Sequence, residues 1–337
     1  YSKKLKSKKK NFFQSDIIII SKFIKNNNLS KANDYLASTN KNNYTPLHDL
    51  LSQIIFSWVT VEKSKLNYDD AKEVFKLISP KYKNIKKIND IFLNCYFDTA
   101  KVNEKFLNLI NDQTTDFSRY TFFYANYLLK KDLIKKANSI LNSQLKLTPR
   151  YLLLNQLYSD INKKKENYLK NSFDCKNISN IIAELLYITA NALSNQSLYS
   201  KSNFYINLAK YLNQDFFSYN TLLAENFIMI GNFEKAKKIY LLLNRYGDHY
   251  SWHSSKQIAS LDIEKSQTEK ALKSIETSYK NLNSPDNYQT YDFAQFLKNN
   301  QKFKKSIKYY SKILQNIKRS HELYPKVKDG RGIAYEQ

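Results

Sequence analysis

His249 and His253 stand four residues apart, a spacing that places two imidazoles on one helix face and could hold a divalent metal. No carboxylate or cysteine stands at a supporting spacing. Gly247 and Asp248 precede the pair and Trp252 lies within it, marking a join between two segments. The pair reads as a surface turn with one packed histidine, and no metal site is expected. Cys95 and Cys175 are 80 residues apart, with no CxxC motif and no neighbouring histidine, which excludes a zinc site. Two packed, free thiols are the expectation. A disulfide would require the fold to bring this distant pair together.

Nucleophilic catalysis needs a base oriented by a third group. The chain has four histidines (His48, His249, His253 and His321) and no Gly-x-Ser-x-Gly elbow, so no such set can be assembled. Four glycines cannot build a phosphate-cradling loop. The carboxylates Asp69 and Asp70 are adjacent and read as a solvated helix surface. Neither a catalytic residue nor a cofactor site is expected.

The charge is the other chemical signal. Lys and Arg number 54 against 30 Asp and Glu, for a net charge of +24. Only five of the cations are Arg (Arg119, Arg150, Arg245, Arg319 and Arg331), whereas nucleic-acid readers lean on the planar guanidinium. Asn, Ile, Tyr and Phe are abundant beside Lys, a combination that an AT-rich genome favours. The excess is therefore read as a solvated basic surface, with a polyanion or acidic-lipid binder as the alternative. The run Lys3 to Lys10 ahead of Phe12 and Phe13 could dock on such a surface, and otherwise reads as a solvated lead-in.

Positioning elements follow from the repeats. Few Gly and Pro with 42 % hydrophobic residues point to helices and a packed core. Ser202, Ala236, Ala271 and Ser306 recur at intervals of 34, 35 and 35, and Pro46, Pro80, Pro149 and Pro285 fall near multiples of the same period. Such a period marks stacked helical hairpins. In the unit from Phe217, Leu223, Ala224, Phe227, Gly231, Phe233, Ala236 and Tyr240 describe two amphipathic helices around a turn, with small residues where the helices cross. No apolar run approaches the roughly 20 residues that span a bilayer.

These residue types and spacings resemble the tetratricopeptide repeat, which carries small residues at positions 8 and 20, aromatics at 11, 17 and 24, and Pro at 32. Segments from Ala183, Phe217, Trp252 and Asn287 match well, the unit from Ser118 fairly, and those from Phe13 and Ser52 weakly. The resemblance implies an all-α, right-handed α-solenoid of about nine antiparallel hairpins. On this reading residues 1–12 form a basic lead-in, 13–161 degenerate repeats, 162–182 a linker or irregular segment, and 183–337 a good array truncated at its C-terminus. A further first helix at the C-terminus lacks its partner, which implies a chain that continues beyond Gln337. An export signal could precede Tyr1. The stretch 183–337 also looks like tetratricopeptide proteins of Gram-negative bacteria, many of them exported, which implies an envelope location, with the cytoplasm as alternative.

In tetratricopeptide repeats, positions 2, 5, 9, 12 and 13 of the first helix line a ligand groove. Carried over, they are Arg119, Phe122, Asn126 and Lys130; Tyr187, Asn191 and Asn195; Thr221 and Glu225; Lys256; and Tyr288, Tyr291, Gln295, Lys298 and Asn299. Phe122, Tyr187 and Tyr291 stand where some members use Lys to clamp a terminal carboxylate, so that mode is not implied. The implied function is a non-catalytic scaffold that binds a protein or peptide, with nucleic acid disfavoured and no cofactor required.

Overall fold

The computed structural model describes residues 13–39, 44–112, 114–163 and 172–337. The basic lead-in at 1–12 lies outside the described residues, as does the 164–171 portion of the expected linker. Eighteen helices and no strand occur among the described residues.

They follow one another mostly as helix, short turn, helix. In order they are α1 (Phe13–Lys25) and α2 (Leu29–Ser38), α3 (Pro46–Lys63) and α4 (Tyr68–Lys76), α5 (Lys83–Phe97) and α6 (Val102–Ile110), α7 (Ser118–Lys130) and α8 (Ile134–Leu147), then α9 (Leu152–Asn162). Next come α10 (Ile178–Asn195) and α11 (Tyr199–Leu212), α12 (Tyr219–Met229) and α13 (Phe233–Leu243), α14 (Asp248–Glu264) and α15 (Thr268–Lys280), α16 (Asn287–Asn299) and α17 (Phe303–Asn316), and α18 (Leu323–Glu336).

The turns share one backbone device. Asn27, Lys65, Asp98, Asp132, Ser197, Gly231, Ser266 and Gln301, one in each intra-pair turn, have φ between 46° and 73°. A left-handed residue ends one helix and reverses the chain within a few residues. The next helix is then capped, as where Asn28 accepts from Lys31 N and Asn232 from Lys235 N. Five residues beyond six of these turns stand Ala32, Ala137, Ser202, Ala236, Ala271 and Ser306, all fully buried. On the first helices of four of these pairs Ala125, Ala190, Ala259 and Ala294 are buried too. The small residues of the sequence period are therefore packing contacts, where a larger side chain would push helices apart.

The chain divides into two compact units, residues 1–148 with 157–230, and residues 149–156 with 231–337. In the first unit neighbouring helices pack in sequence order, but α1 also packs on α11 and α3 on α10. Lys25 Nζ donates to the Leu212 carbonyl at 3.3 Å across the first of these contacts. In an open repeat array each repeat touches only its neighbours; this unit instead closes upon itself.

One expectation needs correction here. Cys95 on α5 and Cys175 are joined in a disulfide, with Cα atoms 5.9 Å apart, rather than being free thiols. Closure of the unit brings together what 80 residues separate. The described part of the expected linker or irregular segment, 172–177, is irregular but packed against the unit. Ser172, Phe173 and Cys175 are buried, the Phe173 ring packs on Phe92 and Phe123, and α10 already begins at Ile178. The boundary between the units falls instead at 148/149, 156/157 and 230/231.

In the second unit α13 to α18 each pack on the next, and α18 also reaches α16. Trp252, Ile275, Tyr279 and Phe293 form one core cluster, and Ala294, Tyr310, Ile313 and Val327 another. Residues 149–156 are tied in where Gln156 Oε1 accepts from His249 N at 2.9 Å. A Cβ on Gly247 would fall 2.1 Å from the Gln156 amide, and its φ is +102°, so this position requires glycine.

Candidate partner-binding surface

The first unit buries several of the side chains that the sequence places on an open groove. Arg119 of α7 donates from Nε and Nη2 to the two oxygens of Glu184 at 2.5 and 2.9 Å. Its guanidinium lies 4.1 Å from the Tyr187 ring centre and 5.2 Å from that of Phe216. Glu184 has no exposed surface, and burial raises its carboxyl pKa against the opposing pull of Arg119. Phe122 is fully buried and stacked on Phe216 at 5.1 Å, and Asn126 is buried. Phe122 and Asn126 are thus not part of an open surface, because Phe173 and the segment around Phe216 fill the space in front of α7. Tyr187 is half-buried in the same aromatic group, and Thr221 of α12 is half-buried as well. Lys130, Asn191, Asn195 and Glu225 are exposed, and Lys130 pairs with Asp174 at 3.1 Å.

In the second unit the remaining candidates lie on α14 and α16. Lys256 of α14 and Arg150 both bind Asp292 of α16, the arginine at 2.8 Å. The Arg150 guanidinium lies 5.4 Å from the Tyr288 ring centre and 5.7 Å from that of Tyr291, within cation–π range. Tyr288 donates to Glu322 at 3.0 Å, and the Gln295 side chain accepts from the Tyr310 hydroxyl. Burial, reinforced by Glu322, pushes the Tyr288 phenol up to about 12. Lys298 is half-buried and Asn299 exposed along the same helix. Lys256, Tyr288 and Tyr291 are therefore brought together, with Gln295, Lys298 and Asn299 further along α16.

A cavity of about 90 Å³ opens among Arg150, Trp252, His253, Lys256, Tyr288 and Asp292. Two polar atoms beside it, Trp252 Nε1 and His253 Nε2, are buried and have no hydrogen-bond partner among the described residues. Burial first, and then the charge of Lys256, lowers the His253 pKa to about 4, while Asp292 opposes the shift. His253 is thus neutral at physiological pH. His249 and His253 both belong to α14 rather than to a turn between segments.

Sequence reasoning missed Arg150, Asp292 and Glu184. Arg150 carried a signal, as one of five arginines in a lysine-dominated chain and directly after the periodic Pro149. Asp292 and Glu184 carried none, since each gains its role from a cation distant in sequence. No protein-family model matches the chain, and no curated protein matches it.

Proposed function

We propose that this chain is a non-catalytic helical-repeat scaffold of the tetratricopeptide type, which captures a protein partner at the Arg150–Tyr288–Tyr291 surface of its C-terminal unit. The observation that carries this reading is the convergence of one arginine, held by Asp292, on the rings of two tyrosines beside Lys256. Arg, Tyr and Trp are the residues that dominate binding energy at protein interfaces. Tyrosine supplies area at little entropic cost, and a guanidinium already held by Asp292 and two rings is preorganised. The disulfide favours work in an oxidising compartment such as a cell envelope.

The test is capture from a lysate of the source cells, with bound material washed at low salt and at about 0.5 M salt, where phosphate contacts are lost. A discrete protein that survives the high-salt wash on the wild type and is lost from Tyr288→Ala/Tyr291→Ala supports the reading. Recovery of only nucleic acid or other acidic material, released by salt, would transfer the function to the basic surface.

A further inference from the structure

The second helices of the C-terminal unit carry lysine at a fixed register. Lys238 on α13, Lys273 on α15 and Lys308 on α17 recur at intervals of 35 and 35, each two residues beyond the buried small residue of its helix. All three are exposed, and none forms an ion pair among the described residues. A second row runs along α17. Lys304, Lys308 and Lys312 follow one another at i, i+4 and i+8, about 6 Å apart along one helix face. Lys304 and Lys312 are likewise exposed and without an ion pair among the described residues.

Like charges at that spacing repel, and an acid nearby relieves them. The other two second helices supply one: Glu234 of α13 pairs with Lys265, and Glu269 of α15 pairs with Lys302 at 3.4 Å. The residue in register with these glutamates, a further 35 along, is Lys304. Glu234 and Glu269 are 70 % and 86 % exposed, so this register faces solvent even where a following pair packs alongside. No acid stands between Phe303 and Asn316. Of the four lysines of α17 only Lys305 is answered, by Glu276 of α15 at 3.1 Å.

We propose that this patch is the contact of the C-terminal unit with an acidic phospholipid surface. Each ammonium is a compact, hydrated point charge suited to headgroup phosphates, whereas nucleic-acid readers draw on the guanidinium fork, of which the patch has none. The exposed residues of α17 are Lys304, Lys305, Lys308, Lys312, Gln315 and Asn316, with no ring on which a base could stack. Two rows crossing at Lys308 spread charge over an area, as a layer of headgroups requires, rather than along the line of a strand. None of these lysines takes part in the Arg150 surface, so the lipid contact is separate from it.

Flotation of the oxidised full chain with vesicles tests this, using phosphatidylcholine alone or with about one-third phosphatidylglycerol, at about 0.1 M salt, where the Debye length is about 10 Å. The expected result is binding to the acidic vesicles only. Lys304→Gln/Lys308→Gln/Lys312→Gln should weaken it by about 100-fold, as three lysines of about five-fold each supply. The melting temperature should not change, because all three side chains are exposed. Lys83→Gln/Lys135→Gln/Lys146→Gln removes the same charge from exposed positions of the first unit. That variant should bind within about two-fold of wild type, since lysines away from the bilayer are screened from it. No binding to acidic vesicles, equal loss in the two variants, or stripe-dependent binding to duplex DNA in place of vesicles would each overturn the proposal.

Discussion

Arg119 and Glu184, 65 residues apart in sequence, meet in a two-pronged ion pair whose carboxylate is completely shielded from water. The pair joins α7 to α10 in the interior of the first unit. It explains why a helix face that an open array would present to a ligand is inaccessible here. Arg119 spends its guanidinium on Glu184 and on the rings of Tyr187 and Phe216.

Removing one partner of a buried pair leaves an uncompensated charge, which costs about 3–5 kcal/mol. Arg119→Ala is therefore expected to lower the urea unfolding free energy by that amount. The double variant Arg119→Met/Glu184→Leu should recover most of the loss, because it removes both charges and retains volume. Equal instability of the single and double variants would show that the pair acts through packing alone.

Seven of the eight intra-pair turns place a residue other than glycine in the left-handed region, at an expense of roughly 1 kcal/mol each. Ser197→Gly, Ser266→Gly and Gln301→Gly should each stabilise the chain by somewhat less than this, since glycine also gains unfolded-state entropy. Gly231→Ala should act in the opposite direction, although a Cβ there meets no atom within 4 Å. Chemical denaturation of the four variants checks both signs together.

The Cys95–Cys175 bridge closes a loop of 80 residues, and its loss should reduce stability by about 2–4 kcal/mol. Cys175→Ser should melt like reduced wild type. Protein purified without reductant should titrate no thiol after denaturation, whereas two reactive thiols would contradict the bridge.

His253 contributes a pH dependence with a defined sign. Its folded pKa lies near 4 against an ordinary 6.5, so below pH 6.5 the unfolded chain takes up a proton that the folded chain refuses. The contribution is fully present above 6.5, is lost as pH falls through the window from 6.5 to 4, and is constant below it. Its full size is roughly 3 kcal/mol. The stability difference between wild type and His253→Gln should vary across that window and remain flat from neutral pH upward.

The helical pairs were legible because their small residues are forced by close helix crossings. Ala236 and Ala271 cannot be larger whatever the rest of the sequence does, and both are completely buried. The turns were not legible as a series. Lys65, Ser266 and Gln301 adopt a backbone conformation that sequence reasoning assigns to glycine, and only Gly231 gave the signal. Closure of the first unit was hidden for a different reason. Phe122 and Tyr187 occupy positions that are exposed in an open array, and no local pattern reveals that Phe173 and Phe216 will cover them. Cys95 and Cys175 were unreadable as a pair until that closure was known. Of the candidate surface, Lys256, Tyr288 and Tyr291 were found from their repeat positions, while the cation between the two rings, Arg150, came from outside the repeat that carries them.

The most direct measurement on the central claim is site-specific photocrosslinking in the source cells. A photoreactive phenylalanine analogue would replace Tyr288 or Tyr291 and, as control, the exposed Leu242 on α13. We predict one discrete protein adduct from both tyrosine positions and none from Leu242. No adduct at either tyrosine, or the same adducts at all three positions, would contradict a partner-binding surface at Arg150, Tyr288 and Tyr291.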